Sequence, residues 1–252
     1  MIARRPRLIP VLLVDRDRRL VKTVGFGERT YIGDPFNVMR LFNEKEVDEI
    51  CVLDIDAAVD GRGPDIGFVT ELASECFMPL SYGGGLTSLG PCQALAAAGV
   101  EKFVIGSATC DRGLISQMAA VFGQQAVVGC VDYRSRPGTA AVCYTQSGQI
   151  PLGRNPLDHA RGLVEAGVGE IILQSIDLDG TRAGMDLDLI EKIACALPVP
   201  LVALGGAGET PHLLDALRAG ASAAASGSAF AFIGRLRAVL ISYPDAVELA
   251  TS

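Results

Sequence analysis

Two short patterns in this sequence have the residue types that hold an anion. Gly83-Gly84-Gly85 follows one apolar run and Gly106-Ser107-Ala108 follows the next. Glycine lets a backbone approach a ligand closely, amides freed at the start of a helix attract negative charge, and a serine hydroxyl adds a donor. The pair returns in the same order as Gly205-Gly206 and Gly227-Ser228-Ala229. Either pattern alone is as often an ordinary tight turn. Recurring together, they point to two phosphate cradles, one from Gly84, Gly85, Gly106 and Ser107, the other from Gly205, Gly206, Gly227 and Ser228. A substrate phosphorylated at both ends is the expectation.

Such turns need a frame that brings them to one place. Short apolar runs, each a candidate strand, lie at 8–14, 50–55, 78–82, 103–105, 126–131, 170–174, 200–204 and 223–225. Amphipathic, helix-like stretches at 36–45, 89–98, 114–122, 156–166, 187–197 and 211–219 separate most of them. Continuously apolar strands alternating with helices imply a parallel sheet covered on both faces. Eight strands in 252 residues is the count of a (β/α)8 TIM barrel, whose active site lies at the C-terminal ends of the strands. A doubly wound sheet fits less well, because no GxGxxG follows Val14. The glycine turns belong to a longer repeat in one ungapped register, in which Pro79 falls on Pro200, Gly99 on Gly220, Glu49 on Glu170 and Ile55-Asp56 on Ile176-Asp177. The reading is a single domain over 1–252, built from half-barrels of about 1–121 and 122–252.

Composition removes other classes of function. With 22 basic against 29 acidic residues the net charge is −7, so no basic stripe is available for nucleic acid or an anionic membrane. Mean hydropathy is +0.34, yet no long charge-free run is present to span a bilayer. The apolar stretch after the basic start meets Asp15, Arg16 and Asp17 at once and does not read as a signal peptide, so a cytoplasmic chain is the expectation. The seven cysteines are scattered with no CxxC pair and read as reduced core residues. Only His159 and His212 are present, both in helix-like stretches, so no metal site and no cofactor are expected.

Several runs carry a family resemblance over essentially the whole chain. They are Arg7-Leu8-Ile9-Pro10, Leu20-Val21-Lys22, Gly33-Asp34-Pro35, Leu53-Asp54-Ile55-Asp56-Ala57, Gly123-Gln124-Gln125-Ala126-Val127-Val128, Ser175-Ile176-Asp177-Leu178-Asp179-Gly180-Thr181 and Gly205-Gly206-Ala207-Gly208. With these the chain resembles HisF, the cyclase subunit of imidazole glycerol phosphate synthase, more than its relative HisA. The resemblance implies a lyase whose general acid and base are aspartates at the ends of the first and fifth strands, acting on a bisphosphorylated ribulosyl substrate. Asp132 matches the fifth-strand residue, but the first-strand position is Leu13. Asp15 shares the parity of Leu13 but stands about 6–7 Å further along the chain. Independent cyclase activity is therefore doubtful. The resemblance also places Lys22 near a substrate phosphate, and Asp179, Gly180 and Thr181 beside the second one.

The resemblance extends to the opposite end of the barrel. Arg7, Glu49, Lys102 and Glu170 open four strands and would ordinarily be a solvated rim. One by one they match a ring that, in HisF, gates ammonia delivered by a HisH glutaminase. A lost acid with a complete ring resembles the WbuZ-type HisF paralogue of surface-polysaccharide (O-antigen) gene clusters, as do Asn43–Glu49 and Ala73–Leu80. The implied function is the synthase subunit of a heterodimeric HisF/HisH-like glutamine amidotransferase. It would pass ammonia through the barrel, with a sugar amidotransferase as a further partner and a phosphorylated small molecule as ligand. The alternatives are a histidine-pathway cyclase and a non-catalytic scaffold that activates the glutaminase.

Overall fold

The computed structural model describes residues 7–135, 138–234 and 238–244, so the basic start at 1–6 and the last residues of the proposed domain lie outside it. Eight parallel strands close on themselves: β1 (Arg7–Val14), β2 (Ile50–Asp54), β3 (Leu80–Gly83), β4 (Lys102–Ile105), β5 (Val127–Arg134), β6 (Glu170–Ser175), β7 (Leu201–Leu204) and β8 (Ala223–Ser226). Each pairs with its neighbour in sequence, and β8 pairs with β1, so no barrel edge is left open. This is the expected (β/α)8 barrel. No helix among the described residues is long and apolar enough to cross a membrane.

The strands are apolar on both faces because both are covered. On β1, Leu8, Leu12 and Val14 pack outward beneath the helices, while Ile9, Val11 and Leu13 point to the barrel axis. On β4 the same alternation sends Phe103 and Ile105 outward and Val104 inward. Fully burying one such side chain stabilises the fold by about 1.5–3 kcal/mol. Cys51, Cys92, Cys130 and Cys143 are buried as expected, whereas Cys110 and Cys195 are exposed.

Five of the described α-helices start where a short polar side chain caps them. The side chains of Asp34, Asp65, Asp111, Asn155 and Asp186 each accept an amide hydrogen bond in the first turn of the helix that follows. The four aspartates among them also meet the positive end of the helix dipole. The helix at Ile66–Ser74 was not among the stretches read from the sequence. Two antiparallel hairpins at the barrel mouth were also missed: Leu20–Thr23 with Arg29–Gly33, and Val142–Thr145 with Ile150–Pro151. Strand ends moved by up to three residues, β5 running on to Arg134 because its end pairs with Val142–Thr145. Glycines 121 residues apart adopt matching turns: Gly84 and Gly205 have φ of 131° and 97°, Gly99 and Gly220 of 106° and 103°.

Candidate functional site

A cavity of about 150 Å³ opens at the C-terminal ends of the strands. Its floor is apolar, from Leu13, Leu53, Val104 and Cys130, and its wall carries Asp54, Asp132 and Gln174. The turns after β3 and β4 supply Gly83 to Gly85 and Gly106 to Ala108. The two hairpins meet over it: Ser147 Oγ donates to Ile55 O at 3.1 Å, Thr145 Oγ1 to Ser107 O at 3.3 Å, and Gly148 packs on the Phe26 ring. A clamp holds the first hairpin, since Arg29 Nη1 and Nη2 grip Asp56 at 2.8 and 2.6 Å. That pair holds the Asp56 carboxyl well below the usual carboxylate range.

Asp132 faces this cavity, and among the described residues no cation pairs with it. The Cys130 thiol, two residues earlier on the same face of β5, donates to Asp132 Oδ1 at 3.2 Å, and Gln174 is the register partner on β6. Burial pushes the Asp132 carboxyl up to about 6, against the pull of the thiol bond, and the charge of Asp179 adds to the rise. Such a group can give and take a proton near neutral pH. The alternation that aims Asp132 inward also aims Cys130 inward, a signal readable in the sequence but masked by the reading of every cysteine as core.

Among the described residues no second carboxylate takes the place of the missing acid. Asp15 turns back on its own loop, accepting the amides of Asp17 at 3.0 Å and Arg19 at 2.9 Å and the Arg19 guanidinium, and it does not line the cavity. Asp54 does line it, but its Oδ1 accepts from the amides of Asp56 and Ala57 and from Arg62.

The structure divides the remaining expected residues. Leu13, Gly84, Gly85, Gly106, Ser107 and Asp132 share the cavity. Lys22, Asp179, Gly180, Thr181, Gly205, Gly206, Gly227 and Ser228 do not line it. Lys22 is buried with Nζ on Val11 O at 2.6 Å, beside Gly227, and burial lowers its pKa to about 8. Asp179 Oδ2 accepts from Thr23 Oγ1 at 2.6 Å, and its carbonyl takes the Gly25 amide. Gly180 has φ of 68°, and a Cβ there would stand 2.0 Å from Thr23 O, so this run braces the first hairpin. Thr181 Oγ1 closes its own turn on Leu178 O.

Beneath the cavity lies the set of charges at the strand starts. Lys102 Nζ bridges Glu49 Oε2 at 2.8 Å and Glu170 Oε2 at 2.9 Å, and Arg7 bonds Glu170 and approaches Glu49 at 3.7 Å. Ser81 Oγ donates to Glu49 Oε1 at 3.1 Å. Both glutamates are 5% exposed, so this is a closed, neutral ring rather than a solvated rim. Directly above it Ile9, Val11, Cys51, Val128, Ile172 and Val202 enclose a void of about 10 Å³, close to the space of one water. Val104 borders both this void and the cavity.

Residues 7–236 match the family model described as histidine biosynthesis protein. A Pseudomonas aeruginosa protein with the provisional name imidazole glycerol phosphate synthase subunit hisF2 is 48% identical over 247 residues, covering 97% of this chain and 98% of that one. A Leptospira borgpetersenii protein, provisionally named as the HisF subunit of the same synthase, is 41% identical over 97% of both chains. The imidazole glycerol phosphate synthase subunit HisF of Hyphomonas neptunium is 40% identical over 90% of each.

Proposed function

This chain belongs to the histidine biosynthesis protein family, and from that premise we propose that it is the ammonia-receiving synthase subunit of a HisF/HisH-like glutamine amidotransferase. In this reading it works in the cytoplasm beside a HisH-like glutaminase, and the nitrogen goes to a sugar amidotransferase of surface-polysaccharide assembly. The observation that carries the reading is the contrast between the two ends of the barrel. At one end Arg7, Glu49, Lys102 and Glu170 are all present, form one ring and cover a small apolar void. At the other, Asp132 keeps a raised pKa while Leu13 occupies the position of its partner acid. A small neutral molecule can pass a ring whose ion pairs reform behind it. A two-carboxylate cyclisation lacks one of its two groups, and proton transfer contributes about 10²–10⁴-fold. The half-barrel repeat fits an origin by duplication, with the turn after β4 as the phosphate cradle that opens on the cavity.

The second reading is a cyclase of histidine biosynthesis, favoured by the names its relatives carry and by an Asp132 poised to transfer protons. The discriminating experiment supplies the purified chain with the bisphosphorylated ribulosyl substrate and an ammonium salt. We expect no imidazole glycerol phosphate and no rescue of a histidine auxotroph; formation of that product would establish the cyclase. Co-purification with a HisH-like glutaminase, and ammonia delivery that fails when the ring is altered, are expected in the same preparation. Delivery indifferent to the ring would leave only a scaffold that activates the glutaminase.

A further inference from the structure

The two glycine-serine turns differ at one residue. After β4, the amides of Ser107 and Ala108 begin a 3-10 turn, have no side-chain cap and make no hydrogen bond among the described residues. After β8 the matching amides are taken. Ser226 Oγ accepts from Ser228 N at 3.1 Å and from Ala229 N at 3.0 Å, and donates to Ala207 O at 3.0 Å. Ser226 is 4% exposed, so this arrangement is shielded from water. The residue that corresponds to Ser226 in the first half is Ile105, whose side chain packs in the outer core and has no atom that could accept a hydrogen bond.

The cavity gives a second, separate difference. It reaches the turns after β3 and β4, but its lining stops at Leu13 on β1 and Gln174 on β6 and includes nothing from β7, β8 or the turns that follow them. The open space and the free amides therefore lie on the same side of the mouth.

We propose that Ser226 is a specificity-determining residue whose hydroxyl stands where a phosphate oxygen would sit at the β8 turn. The barrel then takes a ligand with one phosphate, seated on Gly106, Ser107 and Ala108, in place of one phosphorylated at both ends. This rests on the reading that the glycine-serine turns hold phosphate. The physical reason is an exchange of hydrogen bonds. A phosphate at the β4 turn satisfies amides that are otherwise unpaired. At the β8 turn it must first displace two buried amide bonds and a hydroxyl that already has an acceptor, so the net gain is small.

The test titrates inorganic phosphate into isotopically labelled full-length protein and follows the backbone amide signals. In the wild type, Gly106, Ser107 and Ala108 should shift and saturate while Ser228 and Ala229 stay still. In Ser226→Ala the second set should shift as well, with affinity at that turn raised about ten-fold, the effect of roughly one hydrogen bond's net worth. The reciprocal variant Ile105→Thr puts a hydroxyl at the matching place and should weaken phosphate at the β4 turn by about the same factor. Movement of Ser228 and Ala229 in the wild type, or their stillness in Ser226→Ala, would overturn the inference. If neither turn responds in any form of the protein, the phosphate reading falls with it. The ring's part in ammonia delivery would be unaffected by either failure and is read separately, by coupled glutamine turnover.

Discussion

Leu13 on β1 and Asp132 on β5 stand four strands apart around an eight-stranded ring, and both end in the same cavity. An apolar side chain thus faces the one cavity carboxyl that, among the described residues, no cation or backbone amide engages. The raised pKa of Asp132 follows first from burial in such surroundings. Leu13 therefore offers Asp132 neither a charge nor a hydrogen bond across the cavity.

Restoring the partner acid should show this. Leu13→Asp puts a second carboxyl into the cavity, and like charges in a poorly solvated space favour the protonated form of one of them. The Asp132 titration, followed by carboxyl NMR, should move above its present value of about 6. The variant should also lose about 2–4 kcal/mol in stability, because a polar group replaces a side chain that is only 7% exposed. An unmoved titration would separate the two positions.

Asp132 should leave its mark on stability against pH. Its folded pKa lies above the unfolded value, so the native state holds the proton more tightly between about pH 4 and 6. Its contribution is neutral below that window, and the cost of the buried charge is complete above it. Asp132→Asn should therefore be more stable than the wild type at pH 7.5, by up to about 3 kcal/mol, and indistinguishable from it near pH 3.5. Chemical denaturation at the two pH values measures the difference.

Lys102 is the bridge of the ring, with one carboxylate oxygen of each glutamate on its ammonium. Lys102→Ala leaves two buried carboxylates to Arg7 alone and should destabilise the fold by about 3–5 kcal/mol. Product formation driven by glutamine should fall more than that driven by added ammonium salt. Equal losses would mean that the ring serves stability alone.

The Arg29–Asp56 clamp ties the Leu20–Gly33 hairpin to the end of β2. The Asp56 carboxyl is depressed, chiefly by Arg29, so its stabilisation is present above the ordinary carboxylate pKa and is lost on further acidification. Asp56→Asn should remove that acid sensitivity and speed amide hydrogen exchange in Leu20–Gly33 more than in β5. Uniform exchange across the barrel would show that the clamp does not act locally.

Much of the architecture was legible in the chain itself. The alternation Leu8-Ile9, Val11-Leu12-Leu13-Val14 tells which side chains face the axis, since strand parity is a local rule. The glycine turns 121 residues apart could be paired by register, and the charges at four strand starts fall at one end of any parallel barrel. These features depend on spacing along one segment or on a fixed offset. The hairpins over the mouth were missed because their strands are only two to five residues long and are held by contacts with distant loops, as Ser147 is held by Ile55.

What only the tertiary structure decided is which groups are already occupied. Asp15 and Leu13 are two residues apart, yet one folds back onto Arg19 and the other looks into the cavity. Gly106-Ser107-Ala108 and Gly227-Ser228-Ala229 read alike, yet Ser226 fills one set of amides and Ile105 leaves the other free. The thiol of Cys130 was a core residue in the sequence and a hydrogen-bond donor to Asp132 in the fold. Residue type and order set how many donors and acceptors the chain owns. Their pairing, and hence what remains available to a ligand, depends on neighbours that only closure of the barrel brings together.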